Sequence, residues 1–370
     1  MTLSKERKNV MTMDNKTYNL DDRNKQQTYA QYRVDNIFNL LEQFRSFMLL
    51  DSFFYRGHAD ANWSLESSYD RYKKIKGPPP GVHFLENYSC DSTLFQGELA
   101  AIKYNLATND HFSSSRHPKV ETLSEMQHYG SSTRLFDVTE SLGVALFFAM
   151  AGKPGKNDAA IWAINKNVLL RNFIHAEHSF TLPNDKEKYY FFNPRTKKEV
   201  HIDEFDLFRI NSYMFEIDHN EQFCDYAEFI IGNNDVINPP DKKLYCTVYP
   251  GVFPIRPTIF NNRLHAQNGL FLLQQSLEYS FMNNLLSTLN ISFSEFEKIV
   301  SFSDMLDISK EKHISRLINT ALVKFIIPQT EFKHCEIFLK SMNINYKSLF
   351  PDKYGIIKSA EKKYFPDFFF

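Results

Sequence analysis

The chain has 370 residues, of which 43% are hydrophobic and 24% are charged, and its formal net charge is −1. These values are typical of globular proteins and exclude a globally disordered chain. The near-zero net charge argues against a strongly basic protein that wraps nucleic acid. We find no run of 18 apolar residues and no secretory signal. We therefore expect a cytoplasmic protein with reduced cysteines and no membrane span.

The first half of the chain predicts helices that alternate with short strands. Residues 1–27 are polar and predict a mobile tail. Apolar residues recur at helical spacing between residues 29 and 50, which predicts an amphipathic helix. An aromatic run at 52–57 is typical of a buried strand that ends at a glycine. Capping residues and apolar runs then predict a loop at 76–81, helices at 93–107, 122–130 and 139–152, and a strand at 159–164.

The second half begins with a segment of different character. Residues 165–242 have mixed charge and few clear periods, so we interpret them as an insertion or a lid-like subdomain. Strands are predicted at 244–249, 269–274 and 321–327, and a helix at 331–342. The pattern indicates an α+β fold. We divide the main domain into halves at 28–164 and 243–358, with a C-terminal tail at 359–370.

The densest group of polar and ionisable side chains lies at 127–139, between two predicted helices. Arg134 precedes the helix predicted to begin at Thr139, where free N–H groups and the helix dipole favour an anion. The segment predicts either a structural loop with an Arg134–Asp137 pair or the wall of a site for a phosphate-bearing ligand. A Walker loop is absent from the sequence. The other candidates in this segment are His128, Tyr129, Ser132 and Thr133.

A second candidate group is Tyr55-Arg56-Gly57-His58. An arginine at the end of a buried strand needs an anion, because an unpaired buried charge is costly. That anion is either an internal carboxylate or a ligand phosphate or carboxylate held by the guanidinium fork. Gly57 would allow a ligand to approach the backbone. We expect Trp63 to belong to the core, with a stacking face for a ligand as the alternative.

A third candidate group leads into the strand predicted at Gly269. Arg263, Gln267 and Asn268 form either an ordinary Asn-Gly turn or another part of a site. Glu98 is either solvent-exposed or a partner of Arg56 or Arg134. His175 and His178 lack an obvious third ligand, so we expect no metal.

Together, these segments resemble the FRG domain of bacteria and phages, named for its F/Y-R-G motif. The shared pattern is Y-R-G, W-x-L, Q-H-Y-G-x-x-T-R-L-x-D-x-T and R-x-x-x-Q-x-G-x-F. The resemblance spans roughly residues 50–358, including the closing Leu-Phe-Pro-Asp sequence. The motif layout is similar to that of the ADP-ribosyltransferase superfamily. This similarity implies a split or bent central β-sheet flanked by helices, with an inserted subdomain.

The resemblance implies that NAD is the substrate and assigns roles to particular residues. Arg56 takes the first position and holds the pyrophosphate or nicotinamide ribose. Thr133, with Ser131 and Ser132, takes the middle position, and Gln267 takes the third. Many transferases have an acidic glutamate there, so Asp137, Glu98 or His128 is expected to compensate in catalysis, and His128 is suited to titrate near neutral pH. The remaining residues expected at the NAD site are Gly57, Tyr129, Arg134 and Arg263.

The expected function is that of an NAD-dependent ADP-ribosyltransferase of the toxin or anti-phage defence type. Its expected partners are NAD, DNA or RNA as the acceptor of the modification, and an antitoxin or defence-system protein. Two alternatives remain open. One is a module that senses a nucleotide or nucleic acid without catalysis, and the other is a hydrolase or nuclease that uses Asp137 and His128.

Overall fold

The structure is a computed structural model of the chain. It describes residues 10–13, 16–19, 28–46, 50–76, 92–108, 112, 114–151, 157–170, 172, 189–193, 198–202, 220–232, 251–257, 262–277, 279–291, 299–301 and 320–364. Within these ranges, no helix is long and apolar enough to cross a membrane.

The architecture is α+β, with helices on both sides of a mixed sheet. The strands are β1 Val10–Met13, β2 Lys16–Asn19, β3 Thr28–Arg33, β4 Phe53–His58, β5 Leu135–Thr139, β6 Ala159–Asn165, β7 Tyr189–Asn193, β8 Lys198–Ile202, β9 Val252–Ile255, β10 Gly269–Gln274, β11 Ile299–Ser301 and β12 Thr320–Ile327. The helices are α1 Ile37–Ser46, α2 Ser68–Lys76, α3 Ser92–Thr108, α4 Pro118–His128, α5 Leu142–Ala151, α6 Asn220–Gly232, α7 Asn262–Ala266, α8 Phe281–Leu289, α9 Phe332–Ser341, α10 Tyr346–Leu349 and α11 Lys353–Tyr364.

Eight strands form the main sheet in the order β11-β3-β12-β6-β4-β5-β10-β9. The pairs β11–β3 and β3–β12 are parallel, and the other pairs are antiparallel. All seven residues of β6 are buried. A strand covered on both faces needs apolar side chains on both, which explains the continuous Ala-Ala-Ile-Trp-Ala-Ile run. The pairs β1–β2 and β7–β8 form separate two-stranded sheets.

Three apolar clusters cover the sheet. On one face, α1, α5 and α9 pack against the odd-numbered side chains of β4, including Phe53 and Tyr55. On the other face, α8 packs against Phe54, Phe136 and Trp162. The third cluster joins α4 and α6 to β9 and β10. Because successive side chains of a strand point to opposite faces, Arg56 lies on the same face of β4 as Phe54.

The sheet is nearly interrupted at its middle. β4 pairs with β6 along six residues, but β4 and β5 meet at one register pair, Tyr55 with Thr139. Beyond that pair the two strands diverge, which divides the sheet into a five-stranded part and a three-stranded part. The divergence leaves backbone groups of β5 without the ladder partners that a continuous sheet would supply.

Several predicted elements are confirmed. Strands are present at β4, β6, β10 and β12, and helices are present at α3 and α9, each within a few residues of the predicted bounds. The predicted loop at 76–81 lies outside the described residues except for Lys76, which ends α2. The strand predicted at 244–249 also lies outside them, and the described strand of that region is β9.

Three predictions of local structure are wrong. The helix expected over 29–50 is a strand, β3, followed by the shorter helix α1, because residues 28–33 pair with β12. The helix expected at 122–130 begins at Pro118. Thr139 ends a strand instead of capping a helix, since β5 pairs with β10. Ser141 caps α5, and its Oγ accepts a hydrogen bond from the Val144 N–H at 3.3 Å.

The predicted tails and the segment 165–242 contain regular secondary structure. The segment 1–27 contains the β1–β2 hairpin, and α11 extends through residue 364. Within 165–242, the β7–β8 hairpin forms its own sheet, whereas α6 buries Phe223 and Ala227 in the third apolar cluster. At least this helix of the segment is therefore part of the main core. The interpretation of the rest as an insertion stays a prediction.

Candidate functional site

A cavity of about 270 Å³ opens beside the gap between β4 and β5. All three sequence segments that we singled out contribute to its wall. Its polar lining residues are Arg56, Gln127, His128, Asp137, Thr139, Arg263 and Gln267, and its aromatic lining residues are Tyr55, Phe148, Phe271 and Phe350. The fold therefore brings together polar residues from positions 56 to 267.

Arg56 spans the gap between the two parts of the sheet. Its NH1 donates a hydrogen bond of 2.9 Å to the main-chain oxygen of Asp137 and lies 3.5 Å from the Asp137 Oδ2. The guanidinium carbon lies 5.1 Å from the centre of the Phe136 ring. Burial lowers the pKa of Arg56, and the Asp137 carboxylate opposes that shift. The guanidinium thus remains a charged, rigidly held donor at the cavity wall.

Gln127 orients the Asp137 carboxylate. Its Nε2 donates to Asp137 Oδ2 at 2.9 Å, while its Oε1 accepts hydrogen bonds from Thr133 Oγ1 at 2.6 Å and Ser68 Oγ at 3.1 Å. Sequence reasoning gave Gln127 no role, although it stands next to His128 in the predicted segment. The available signal was its place at the start of the polar segment 127–139, which also contains Asp137.

The C-terminal segment holds the third group of cavity residues. Arg263 Nε lies 2.5 Å from Asp352 Oδ2, and its guanidinium carbon lies 5.4 Å from the ring centres of Phe350 and Tyr354. The hydrogen bond from Arg263 lowers the pKa of Asp352. Gln267 Nε2 donates to the Leu349 carbonyl at 3.1 Å. The residues that hold Arg263 and Gln267 in place thus belong to the closing Leu-Phe-Pro-Asp sequence, which the sequence analysis had singled out.

His128 is a neutral imidazole at the cavity wall. Burial is the main cause that lowers its pKa, and the Arg263 charge lowers it further. A neutral imidazole can accept a proton at pH 7. The neighbouring Tyr129 packs edge-on against it at 5.1 Å between ring centres. The Tyr129 side chain is 79% exposed and is absent from the cavity lining, so the structure does not bring it to the predicted site.

Arg134 does not line the cavity but forms a buried ion pair. Its guanidinium is completely buried and paired with Glu98, with Nε at 2.6 Å and NH2 at 2.5 Å from Glu98 Oε2. The Arg134 N–H also donates to Glu98 Oε1 at 3.1 Å. Of the alternatives considered for Glu98, the partnership with Arg134 is confirmed. A buried pair of this kind holds β5 to α3 and leaves no charge for a ligand.

The middle position of the predicted NAD site is also displaced from the cavity. Thr133 is buried and bonded to Gln127 and to the Ser68 hydroxyl, whereas Ser131 and Ser132 are exposed. None of the three lines the cavity. Thr133 instead acts on the site indirectly, because it fixes the amide of Gln127.

Gly57 allows α5 to pack closely against β4, and its backbone also borders the cavity. A Cβ at this position would lie 1.9 Å from the Ala145 carbonyl oxygen and 2.6 Å from the Ala149 nitrogen, both on α5. Glycine is therefore needed because the helix backbone contacts the strand there. Gly57 also lines the cavity, so the prediction that a ligand approaches its backbone stays a prediction.

A larger cavity of about 840 Å³ adjoins the first and shares Arg56, Gly57, Phe148 and Phe350 with it. Trp63 lines it and is 55% exposed, so the expectation that this residue belongs to the core is wrong. Among the residues that the structure describes, no group of three or more His, Cys, Asp or Glu side chains could hold a metal ion. His175 and His178 lie outside those residues.

Residues 51–158 match the family model described as the FRG domain. The match includes the Y-R-G segment and the segment at 127–139, whereas the predicted resemblance at 263–271 and in the closing sequence lies beyond it. No curated protein and no solved structure matches the chain. The residues that form the first two walls of the cavity thus belong to the matched region. The chain carries an FRG domain over residues 51–158.

Proposed function

We propose that the protein is an NAD-dependent ADP-ribosyltransferase whose transfer site is the cavity beside Arg56. The observation that carries this proposal is the convergence of Arg56, His128 and Asp137 on one cavity, at a gap in the central sheet. Such a transfer needs three groups: a cation that binds the pyrophosphate, a carboxylate that stabilises the positive charge developing on the ribose, and a neutral base. The gap also supports the similarity to the ADP-ribosyltransferase fold.

The binding roles follow from the contacts of each side chain. Arg56 and Arg263 place two guanidinium groups at the cavity wall, and these groups suit a pyrophosphate. Phe148 and Phe350 supply apolar surface for the nicotinamide ring. Gln267 uses its Nε2 on the Leu349 carbonyl, so its Oε1 is the atom oriented to accept a hydrogen bond from a ribose hydroxyl.

The chemical step is a substitution at the ribose carbon attached to nicotinamide. The bond from that carbon to the nicotinamide nitrogen breaks, and its electron pair leaves with nicotinamide. The ribose then resembles an oxocarbenium ion, which the negative charge of Asp137 stabilises. The acceptor nucleophile forms the new bond at the same carbon, and His128 accepts its proton. Asp137 thereby provides the charge that the neutral Gln267 lacks.

NAD turnover by the purified chain tests this proposal. Nicotinamide release and the mass added to the acceptor are measured with single-stranded DNA, duplex DNA, RNA and cell lysate. We expect release that requires an acceptor and falls at least about a hundredfold in Asp137→Asn. Glu336→Gln, on the exposed surface of α9, is the matched control and should retain activity. A well-folded protein that releases no nicotinamide under any of these conditions would refute the transferase proposal.

The neutral side chain of Gln267 favours one alternative function, the binding of a nucleotide without turnover. Its amide is held by the Leu349 carbonyl and cannot act as a base. Under this alternative, calorimetry detects NAD or ADP-ribose binding while nicotinamide release stays at the background rate. Growth arrest on expression, relieved by Asp137→Asn, would support the toxin or defence role.

A further inference from the structure

The larger cavity has features of a second binding site. Its volume of about 840 Å³ exceeds that of the transfer cavity, and Arg56 forms part of both walls. Ligand pockets commonly measure about 300–1,000 Å³, so the transfer cavity alone is small for a dinucleotide. Because the two cavities share Arg56, the larger one offers the space into which a long substrate bound at this residue can extend.

An exposed indole and a buried imidazole stand together on its wall. The ring centres of Trp63 and His58 are 6.0 Å apart, and the rings meet edge to face. His58 is 7% exposed, and its ring is hydrogen-bonded to the backbone of Trp63. Within the part of the chain that the structure describes, its Nδ1 is buried without a hydrogen-bond partner. A buried polar atom without a partner is costly, and a ligand that supplied one would recover that cost.

The protonation state of His58 decides what that atom can bind. Burial, followed by the charge of Arg56, lowers the pKa of His58 to about 3. The imidazole is therefore neutral at physiological pH. With one ring nitrogen bonded to the Trp63 backbone, a neutral ring presents the other nitrogen as an acceptor for an N–H donor.

The charges around the cavity favour an anionic group. Arg56, Arg71 and Lys74 line it, and Glu66 is the acidic lining residue. Lys74 forms an ion pair with Glu66, whereas Arg71 NH1 donates to the Glu66 main-chain oxygen at 2.8 Å. Arg71 is exposed and lines the cavity, and this hydrogen bond uses a main-chain oxygen and not the Glu66 carboxylate. A stacking ring, an acceptor and a cation form the combination that recognises a base carrying a phosphate.

We propose that this cavity is a second site for a nucleobase that carries a phosphate, in which the base stacks on Trp63, donates an N–H to His58 and places its phosphate near Arg71. The adenosine end of NAD and an acceptor strand share this chemistry. The inference extends the proposed function by giving the transfer site a neighbouring nucleotide site. Its test measures binding and needs no NAD turnover, so the two proposals can fail separately.

Tryptophan fluorescence of the full chain provides the test, because the sequence has two tryptophans. Trp63 faces the cavity, and Trp162 is 2% exposed in the core. AMP and single-stranded DNA and RNA hexamers are titrated, with ribose 5-phosphate as the probe that lacks a base. We expect saturable quenching by the base-bearing probes, and Trp63→Phe should remove it. Arg71→Gln should weaken binding about tenfold, whereas Arg45→Gln, at an exposed position of α1, should not.

Competition identifies the source of the base. If NAD displaces AMP and the hexamers, the site holds the adenosine end of NAD. If a hexamer still binds when NAD is saturating, the site holds an acceptor strand. Either result supports the nucleobase site. The proposal is overturned if no base-bearing probe quenches Trp63 while acrylamide does, if ribose 5-phosphate binds equally well, or if Arg71→Gln leaves binding unchanged.

Discussion

The guanidinium of Arg56 donates a 2.9 Å hydrogen bond to the main-chain carbonyl of Asp137, across the gap between β4 and β5. A continuous antiparallel sheet would satisfy that carbonyl with a backbone N–H of the neighbouring strand. The side chain thus takes the place of a missing ladder bond. It also fixes the guanidinium beside the Asp137 carboxylate, so the stability of the sheet and the geometry of the cavity depend on the same residue.

Replacing Arg56 with lysine should separate charge from geometry. Lysine keeps the positive charge but lacks the planar fork that can contact both the Asp137 carbonyl and a ligand. We expect NAD turnover to fall about 100- to 1,000-fold, and the free energy of unfolding to fall by about 1 kcal/mol. Steady-state kinetics and urea unfolding measure the two effects. Arg33→Lys, in an exposed pair with Asp158, is the control, and full activity of Arg56→Lys would contradict the assigned role.

Glu98→Gln tests the structural role of the buried pair with Arg134. The substitution leaves a completely buried guanidinium without its counter-charge. Removing one partner of such a pair costs about 3–5 kcal/mol, which urea unfolding should detect. The matched change Glu336→Gln breaks an exposed pair with Lys340 and should cost less than about 1 kcal/mol. Equal losses in the two variants would mean that burial of the Arg134 pair has no special effect.

Gly57→Ala should disrupt the contact between β4 and α5. The new methyl group would overlap the Ala145 carbonyl, which belongs to a helix backbone and cannot rotate away. We expect a loss of about 3 kcal/mol or more in thermal unfolding experiments. Gly130→Ala is a useful comparison, because it has open space but a φ of +83°. That variant should cost roughly 1 kcal/mol from backbone strain, so a smaller effect at Gly57 would refute the packing argument.

The pH dependence of NAD turnover should show whether His128 acts as the catalytic base. As a base it acts in its neutral form, so the rate should fall when the pH drops through its pKa, which burial and Arg263 place below the usual value of 6.5. Arg263→Gln removes a positive charge and should move this acidic limb to higher pH. His128→Gln should remove the limb. An acidic limb that persists unchanged in His128→Gln would assign it to another group.

His58 should make stability sensitive to acid. Its folded pKa is about 3, because burial and then the Arg56 charge disfavour the protonated ring. Between pH 6.5 and 3 the unfolded chain therefore binds a proton that the folded chain does not. Stability should fall with decreasing pH by up to about 1.4 kcal/mol per pH unit from this group. His58→Gln should reduce the slope, which urea unfolding at a series of pH values measures.

The sequence predicted strands where a short apolar run lay between turn residues, as in β4, β6 and β10. It failed where pairing with a distant segment overrode the local pattern. Residues 28–33 read as the start of a helix because their strand character depends on β12, almost 300 residues away. Thr139 has the chemistry of a helix cap but ends a strand because β10 lies beside it.

The candidate site was also predictable only where local sequence was sufficient, and not where contacts between distant segments decide. Residue type alone indicated that Arg56, His128, Asp137, Arg263 and Gln267 belonged to polar segments of interest. Residue type could not indicate which arginine would form a buried ion pair with a carboxylate. Arg134 and Glu98 are 36 residues apart in sequence and meet only in the folded core. The support given by Gln127 and Asp352 likewise depends on three-dimensional contacts.

The position of β3 in the sheet has a consequence for synthesis. Both of its neighbours, β11 and β12, are translated about 270 or more residues later. At roughly 5–20 residues per second, β3 waits at least about 13 seconds before either partner leaves the ribosome. During that interval an unpaired strand is available to chaperones or to other nascent chains. The protein therefore cannot complete its sheet, or the cavity walls supplied by Gln267 and Phe350, until the last part of the chain has emerged.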